Sequence, residues 1–156
     1  MGELKDRVGA VFHCPVETRP GLSDPAPAYD PQRRQYCSSK LLASLQRADR
    51  EERVVGVTDV DLYVPRLNYV FGEADVESGR AIISLCRLRQ EHYGLPADEA
   101  LLLERATKEI VHELGHTFGL GHCANSKCIM HFSNSLADTD LKEAGFCSSC
   151  RPKIIL

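Results

Sequence analysis

Residues 112–130 read HELGHTFGLGHCANSKCIM, a stretch that demands a helix and then demands that the helix stop. His112 and His116 are four apart. On a helix they share one face with about 5–6 Å between them, near enough for both imidazoles to reach one metal ion. His122 follows six residues later. Were the helix to continue, it would stand about 240° further round and ~9 Å further along the axis. The chain must therefore leave the helix and turn back. Gly119 falls where that turn is required, because glycine adopts the left-handed conformation that ends many helices. Gly121 adds a second pliant position just before His122.

Three neutral imidazoles leave a tetrahedral zinc one open position for water, which is the catalytic rather than the structural arrangement. Zinc lowers the pKa of such a water toward about 7. Glu113, beside His112, is the candidate general base: it takes the water's proton as the nucleophile attacks a polarised peptide carbonyl, then passes it to the leaving amine. H-E-x-x-H is the pattern of zinc peptidases, and the glycine turn with its third histidine makes a chance match improbable.

Four cysteines make a second constellation. Cys123 and Cys128 form one pair and Cys147 and Cys150 the other. Four thiolates suit a closed, tetrahedral structural zinc. Two short-range disulfides and a redox-active C-x-x-C are the alternatives. The first sits poorly with a chain showing no secretory signal. The second is expected beside a βαβ pattern, whereas CSSC lies near the carboxyl end. Seven cysteines in all is an odd count, which also argues against a complete disulfide framework. Cys37 and Cys86 read as small core hydrophobes, and Cys14, after His13 in a proline-rich loop, is weak evidence for metal.

HELGHTFGLGH resembles the extended H-E-x-x-H-x-x-G-x-x-H pattern of metzincin metallopeptidases. The cysteine directly after the third histidine, Cys123, then Cys128, Met130 and the CSSC of Cys147–Cys150, is similar to the archaemetzincin (archaelysin) branch. The resemblance is most specific over residues 112–150. It implies His112, His116 and His122 as catalytic zinc ligands, Glu113 as base, Met130 as the methionine of a turn beneath the metal, and Cys123, Cys128, Cys147 and Cys150 as ligands of a structural zinc, so two Zn2+ per chain. Some metzincins place a tyrosine two residues after that methionine; here Phe132 stands there, so no such phenol is available, and the residue that steadies the oxyanion beyond zinc is left open. The cysteine-switch propeptide pattern of some metzincins is not reproduced around Cys14. The fold implied is α/β (α+β): a metzincin-like twisted mixed sheet, a long helix carrying the zinc motif and a small zinc-organised C-terminal subdomain. It also implies a single domain over residues 1–156, with an upper part (1–120), a lower part (121–156) and the substrate cleft between them. By the same resemblance an edge strand pairs with extended substrate, and residues 80–88 are the expected strand. His92 and His131 receive no catalytic role.

The 156 residues suffice for one domain with a genuine core. A net charge of −3 gives no basic footprint for nucleic acid, which disfavours a DNA-binding zinc protein. No apolar run approaches the ~20 residues that span a bilayer. The start, MGELKDRVGAVF, is too charged for a signal peptide, and Asp6 occupies the position where myristoylation wants Ser or Thr. The expectation is a cytoplasmic peptidase acting on peptide or protein substrates, with no nucleic-acid or membrane partner. The main alternative is a non-catalytic zinc-stabilised interaction module on the same fold. Endopeptidase or aminopeptidase action, sequence preference and oligomeric state are not fixed by these motifs.

Along the rest of the chain, residues 8–12 read as a first strand and 13–32, with five of the eight prolines, as a loop. Residues 35–50 show helical spacing (Cys37, Leu41, Leu45, Ala48), and 54–64 read as a strand. That order predicts a right-handed crossover with parallel pairing. Residues 68–74 and 80–88 read as two strands joined at a turn containing Gly79. The long helix should begin near Asp98 and Glu99 and bury Leu102, Ala106, Ile110 and Leu114 beneath the sheet. A short helix is expected near 138–144.

Overall fold

The computed structural model describes residues 2–21, 24–47, 49 and 51–155. Helix α1 (Gly2–Phe12) opens the chain. Strands β1 (Tyr29–Asp30) and β2 (Gln35–Cys37) follow, then helix α2 (Ser38–Ser44), β3 (Val54–Thr58), β4 (Leu62–Tyr63), β5 (Gly72–Asp75) and β6 (Arg80–Ser84). Helix α3 (Glu99–Thr117) and the short α4 (Leu136–Leu141) complete the described helices of the α type. The mixed α+β class is as expected, with the strands distributed over two small sheets.

One sheet has the order β1-β2-β4 and the other β3-β6-β5. In the second, β6 runs parallel to β3 and antiparallel to β5. Its alternate residues face opposite ways. Ile83 joins a core with Val111 and Leu114 of α3, whereas Ile82 joins Leu42 and Leu45 near α2 and Leu62 of β4. The sheet is thus covered by α3 on one face and α2 on the other. Leu102, Ala106, Ile110 and Leu114 are buried as the periodicity required. The larger core continues through Cys128, Ile129, Met130 and Cys150, so the metal-motif segment packs on the same apolar interior.

Several sequence expectations need correction. Residues 8–12 are the second half of α1, not a strand: Leu4, Val8 and Phe12 recur every four residues and are buried, a period invisible when the run is read from Val8 alone. The expected parallel crossover between 8–12 and 54–64 therefore falls; the parallel pairs are β2 with β4 and β3 with β6. Helical structure in 35–50 is confined to α2, because Gln35–Cys37 pair as β2 and Leu45 turns extended as the cap; Ala48 and Arg50 lie outside the described residues. The 54–64 strand breaks in two where Val60 N–H turns onto Thr58 Oγ1 at 3.4 Å, sending β4 to the other sheet. The hairpin is right in kind. β5 and β6 pair across a turn with Gly79 at φ +62°, but each strand is shorter than expected. The helix expected near 138–144 begins earlier, at Leu136, because Ser135 and Asp138 form a capping box.

Candidate metal centre and active site

Helix α3 delivers His112, Glu113 and His116. Asp98 caps its start, accepting Leu101 N–H at 2.9 Å. Its end is set by Gly119, whose φ of +82° is left-handed. Gly119 N–H bonds back to the His116 carbonyl at 2.8 Å, and Leu120 N–H to that of Gly115 at 3.2 Å. The reversal brings His122 back over the helix face. The ring centroids of His112, His116 and His122 lie 4.7–5.5 Å apart. Gly121, expected to be a second hinge, has no left-handed φ.

The imidazoles are oriented before any metal arrives. His112 Nδ1 donates to the Ile129 carbonyl at 2.8 Å, and His116 Nδ1 to the Leu120 carbonyl at 2.7 Å. Carbonyl oxygens only accept, so the proton sits on each Nδ1 and each Nε2 presents a lone pair. The two Nε2 atoms face each other at 3.1 Å. Two lone pairs at that separation need a cation between them. A proton is a poor choice: burial, with the charge of Lys142 next, drops the His112 pKa to about 3. Burial also lowers His116 and His122. A tetrahedral zinc with bonds near 2.0–2.1 Å sets its nitrogens about 3.3–3.4 Å apart, so the imidazole donor set fits zinc. His122, exposed to solvent, closes the triad from the open side.

Glu113 is buried, and burial together with neighbouring Glu109 raises its pKa well above the usual carboxylate value. Met130 is fully buried against α3, meeting the backbone at Gly115. The Phe132 ring packs 4.9 Å from that of His122 and is half exposed.

The sulfurs of Cys123, Cys128, Cys147 and Cys150 form a second cluster, all within 4.8 Å of one another. The seven cysteines are free thiols. Cys123 Sγ stands 3.8 Å from Cys147 Sγ, the edge length of about 3.8 Å expected for zinc–sulfur bonds of 2.3 Å. Backbone N–H groups of Ser149 and Cys150 pull the Cys147 thiol down to about 6, while burial pushes Cys150 up to about 12. One thiol already prone to ionise beside buried ones suits a metal that completes the deprotonation. The clusters are joined through the backbone: Cys123 N–H donates to the Met130 carbonyl at 2.9 Å, and His131 Nδ1 bonds the Cys123 carbonyl at 2.8 Å.

Cys14, Cys37 and Cys86 lie outside both clusters, each half-buried, and His92 Nδ1 stands 3.9 Å from Cys86 Sγ. The strand expected to receive substrate, 80–88, is a correction: β6 is the central strand, flanked on both sides. The edge strand beside the site is β5, where a Cβ on Gly72 would stand 2.7 Å from Glu113 Cγ. Sequence reasoning missed Gly72, Gly115, Glu109 and Lys142. Only Glu109 left a trace, as a polar residue one turn before Glu113 on the helix that carries the motif.

Such a triad on a mixed α+β fold defines the class: a zinc metallopeptidase. Residues 22–155 match the model of peptidase family M54, and the chain belongs to that family. It is 47% identical over 151 residues to an archaemetzincin of Methanocaldococcus jannaschii, covering 97% of this chain and 83% of that one. It is 52% identical over 130 residues to one of Pyrococcus furiosus, covering 81% and 68%. Among solved structures, a zinc-dependent peptidase from Methanocorpusculum labreanum superposes with a TM-score of 0.85 at 33% identity, covering 98% of this chain and 92% of that one. Archaemetzincin from Archaeoglobus fulgidus, complexed with malonate, gives a TM-score of 0.83 at 38% identity, covering 97% and 90%. The archaemetzincin resemblance read from the motifs therefore holds. No described helix is long and apolar enough to cross a membrane.

Proposed function

We propose that this peptidase hydrolyses peptide bonds with Glu113 as general base and with His112, His116 and His122 holding a catalytic zinc. Cys123, Cys128, Cys147 and Cys150 hold a second, structural zinc, making two per chain. The observation that carries the reading is the convergence of three imidazoles, two with Nδ1 committed to a carbonyl and Nε2 turned inward. Zinc bound there supplies Lewis acidity toward the scissile carbonyl and toward an attacking water.

The remaining work belongs to the chain. Glu113 takes the water's proton and returns it to the leaving amine; a carboxyl raised by burial suits a group that must do both. Substrate runs along the free edge of β5, pairing its backbone with Gly72–Asp75 by strand addition. Gly72 brings that backbone against Glu113, so the strand that aligns the peptide also sets its distance from the base. Residues 1–120 form the upper part of a single domain and 121–156 the lower. Seven free thiols support a reducing, cytoplasmic setting.

Mass-spectrometric cleavage profiling of a mixed peptide library, comparing zinc-loaded wild type with Glu113→Ala, tests the reading. Cleavage present in the wild type and lost in the variant is the expected result. The cut positions separate internal from amino-terminal attack. Undiminished cleavage by Glu113→Ala overturns the assignment of the base.

A further inference from the structure

A cavity of about 380 Å³ opens between the first half of α3 and the start of α4, with Tyr69, Tyr93, Leu95, Arg105, Leu136 and Ala137 in its walls. That volume is at the low end of the range of about 300–1,000 Å³ that holds a small ligand, and it suits one large side chain. Two segments frame it, and each touches the metal site at its other end. Residues 69–72 run from Tyr69 to Gly72, the glycine set against Glu113. Residues 132–137 run from Phe132, whose ring packs on His122, to Leu136 and Ala137 in the cavity wall. The Tyr69 hydroxyl ties the two segments together, donating to the Asn134 carbonyl at 2.9 Å. Three residues of extended chain reach about 10 Å from Gly72, and eight residues of helix put Arg105 about 12 Å from Glu113. The cavity therefore lies about 10 Å to one side of the base.

What these walls offer is apolar surface. The Tyr69 hydroxyl is engaged by Asn134, and the Tyr93 hydroxyl donates to the Arg87 carbonyl at 3.1 Å. Ser135, also in the wall, donates to Asp138 at 2.9 Å, and the Gln90 amide to the Pro96 carbonyl at 3.4 Å. Arg105 is buried: its Nε and Nη2 each meet Asp140 at 2.7 Å, and its Nη1 meets the Leu88 carbonyl at 3.0 Å. With its charge matched, it braces the wall and does not call for an anion. The Tyr69 ring is fixed further by the Arg87 guanidinium, 4.3 Å from its centroid, and by the Phe71 ring at 5.4 Å. Aromatic walls held in place before a ligand arrives favour a large apolar or aromatic group. Tyr93 and Leu95 are half exposed, so the cavity opens to solvent.

We infer that this cavity is a specificity subsite of the peptidase reaction: it takes a large apolar or aromatic side chain of the substrate about three residues from the scissile bond. The inference rests on the reading that substrate pairs with the free edge of β5. An added strand advances about 3.3 Å per residue. A peptide whose reacting carbonyl lies beside Glu113 thus brings its third residue, on the side toward Tyr69, level with the cavity.

The experiment takes one peptide cut by the zinc-loaded protein and places Phe, Leu, Gly, Asp or Lys in turn at each of the four positions on either side of the cut. kcat/KM is measured for wild type, for Ala137→Trp, which fills the cavity, and for Leu95→Ser, which strips an apolar wall. Both positions are solvent-exposed, and Tm shows that the variants are folded. Wild type should favour Phe or Leu over Gly, Asp and Lys by about tenfold or more at the third position on one side of the cut. That ratio should fall to within about twofold in Ala137→Trp and drop at least threefold in Leu95→Ser. No apolar preference at that position, a preference for Asp there, or an apolar preference that both variants keep would overturn the inference. A second series carries N-methyl groups on the peptide amides around the cut. Cleavage indifferent to them removes strand pairing with β5 and, with it, the position inferred here. Cleavage abolished by them, with no side-chain preference, removes the cavity's role alone and leaves the pairing in place.

Discussion

Met130 lies so close to the backbone of Gly115 that a methyl group on that glycine would overlap its Sδ and stand 3.2 Å from the Phe146 ring. The glycine inside HELGH is therefore a packing requirement. Glycine within a helix costs about 1 kcal/mol relative to alanine, so alanine here gains propensity and loses space. Met130 is completely buried, so its thioether can shift only against its core neighbours. Overpacking costs about 1–3 kcal/mol, and the balance for Gly115→Ala is a net loss of about 1 kcal/mol. In a chain of this size that lowers Tm by about 2–4 °C. A thermal melt decides it: a rise in Tm would show that Met130 can move aside.

Gly72→Ala should act on both stability and catalysis. The added Cβ would meet Glu113 Cγ and the Ile82 carbonyl, each at 2.7 Å. The carbonyl belongs to the β5–β6 ladder, so the strand itself must shift as well as Glu113. The expected outcome is a fall of tenfold or more in kcat/KM with bound zinc unchanged. Steady-state kinetics beside a zinc assay would reject the link between edge strand and base if kcat/KM stayed at the wild-type value.

What could be read from sequence was local. His112, His116 and the Gly119 turn follow from helix geometry over ten residues, and the four-residue period fixes the buried face of α3. The errors came where partners are distant. Whether 8–12 is strand or helix depends on Leu4 meeting α3, and whether β6 is edge or centre depends on β3, which lies over twenty residues earlier in the chain. Gly72, Gly115 and Lys142 carry no motif, since each matters only for what stands opposite it. The cysteine cluster was legible because metal-ligand spacing is itself a local code.

Cys147→Ser should damage catalysis from a distance. The thiol cluster contains Cys123, whose N–H holds the Met130 carbonyl at 2.9 Å and whose carbonyl holds His131 at 2.8 Å. His122 is its neighbour in the chain. Loosening the cluster frees the backbone that carries the third imidazole and the floor beneath it. Zinc per chain should fall, and activity should fall with it by tenfold or more. Metal analysis paired with a peptide-cleavage assay would sink the idea if one zinc were lost and the rate were untouched.

Acid should weaken the fold through carboxylates that hold turns and caps. Asp138 accepts the Ser135 hydroxyl at 2.9 Å and the N–H groups of Asn134 and Ser135 at 3.0 Å, which lowers its pKa below the ordinary value of 3.8. Asp75 is lowered by Ser78 and by backbone N–H groups, and Asp30 chiefly by Arg33 N–H. In each case the unfolded chain binds the proton more readily than the folded one. Their contribution is therefore fully present above about pH 4 and disappears as pH falls through the depressed folded values. Asp138→Asn removes one such contribution, so its Tm should lie below wild type at pH 6, with the gap narrowing as pH drops toward 3. Melts followed by circular dichroism across that range test it. A gap that stayed constant with pH would mean that the Asp138 charge contributes nothing and that only the shape of the cap matters.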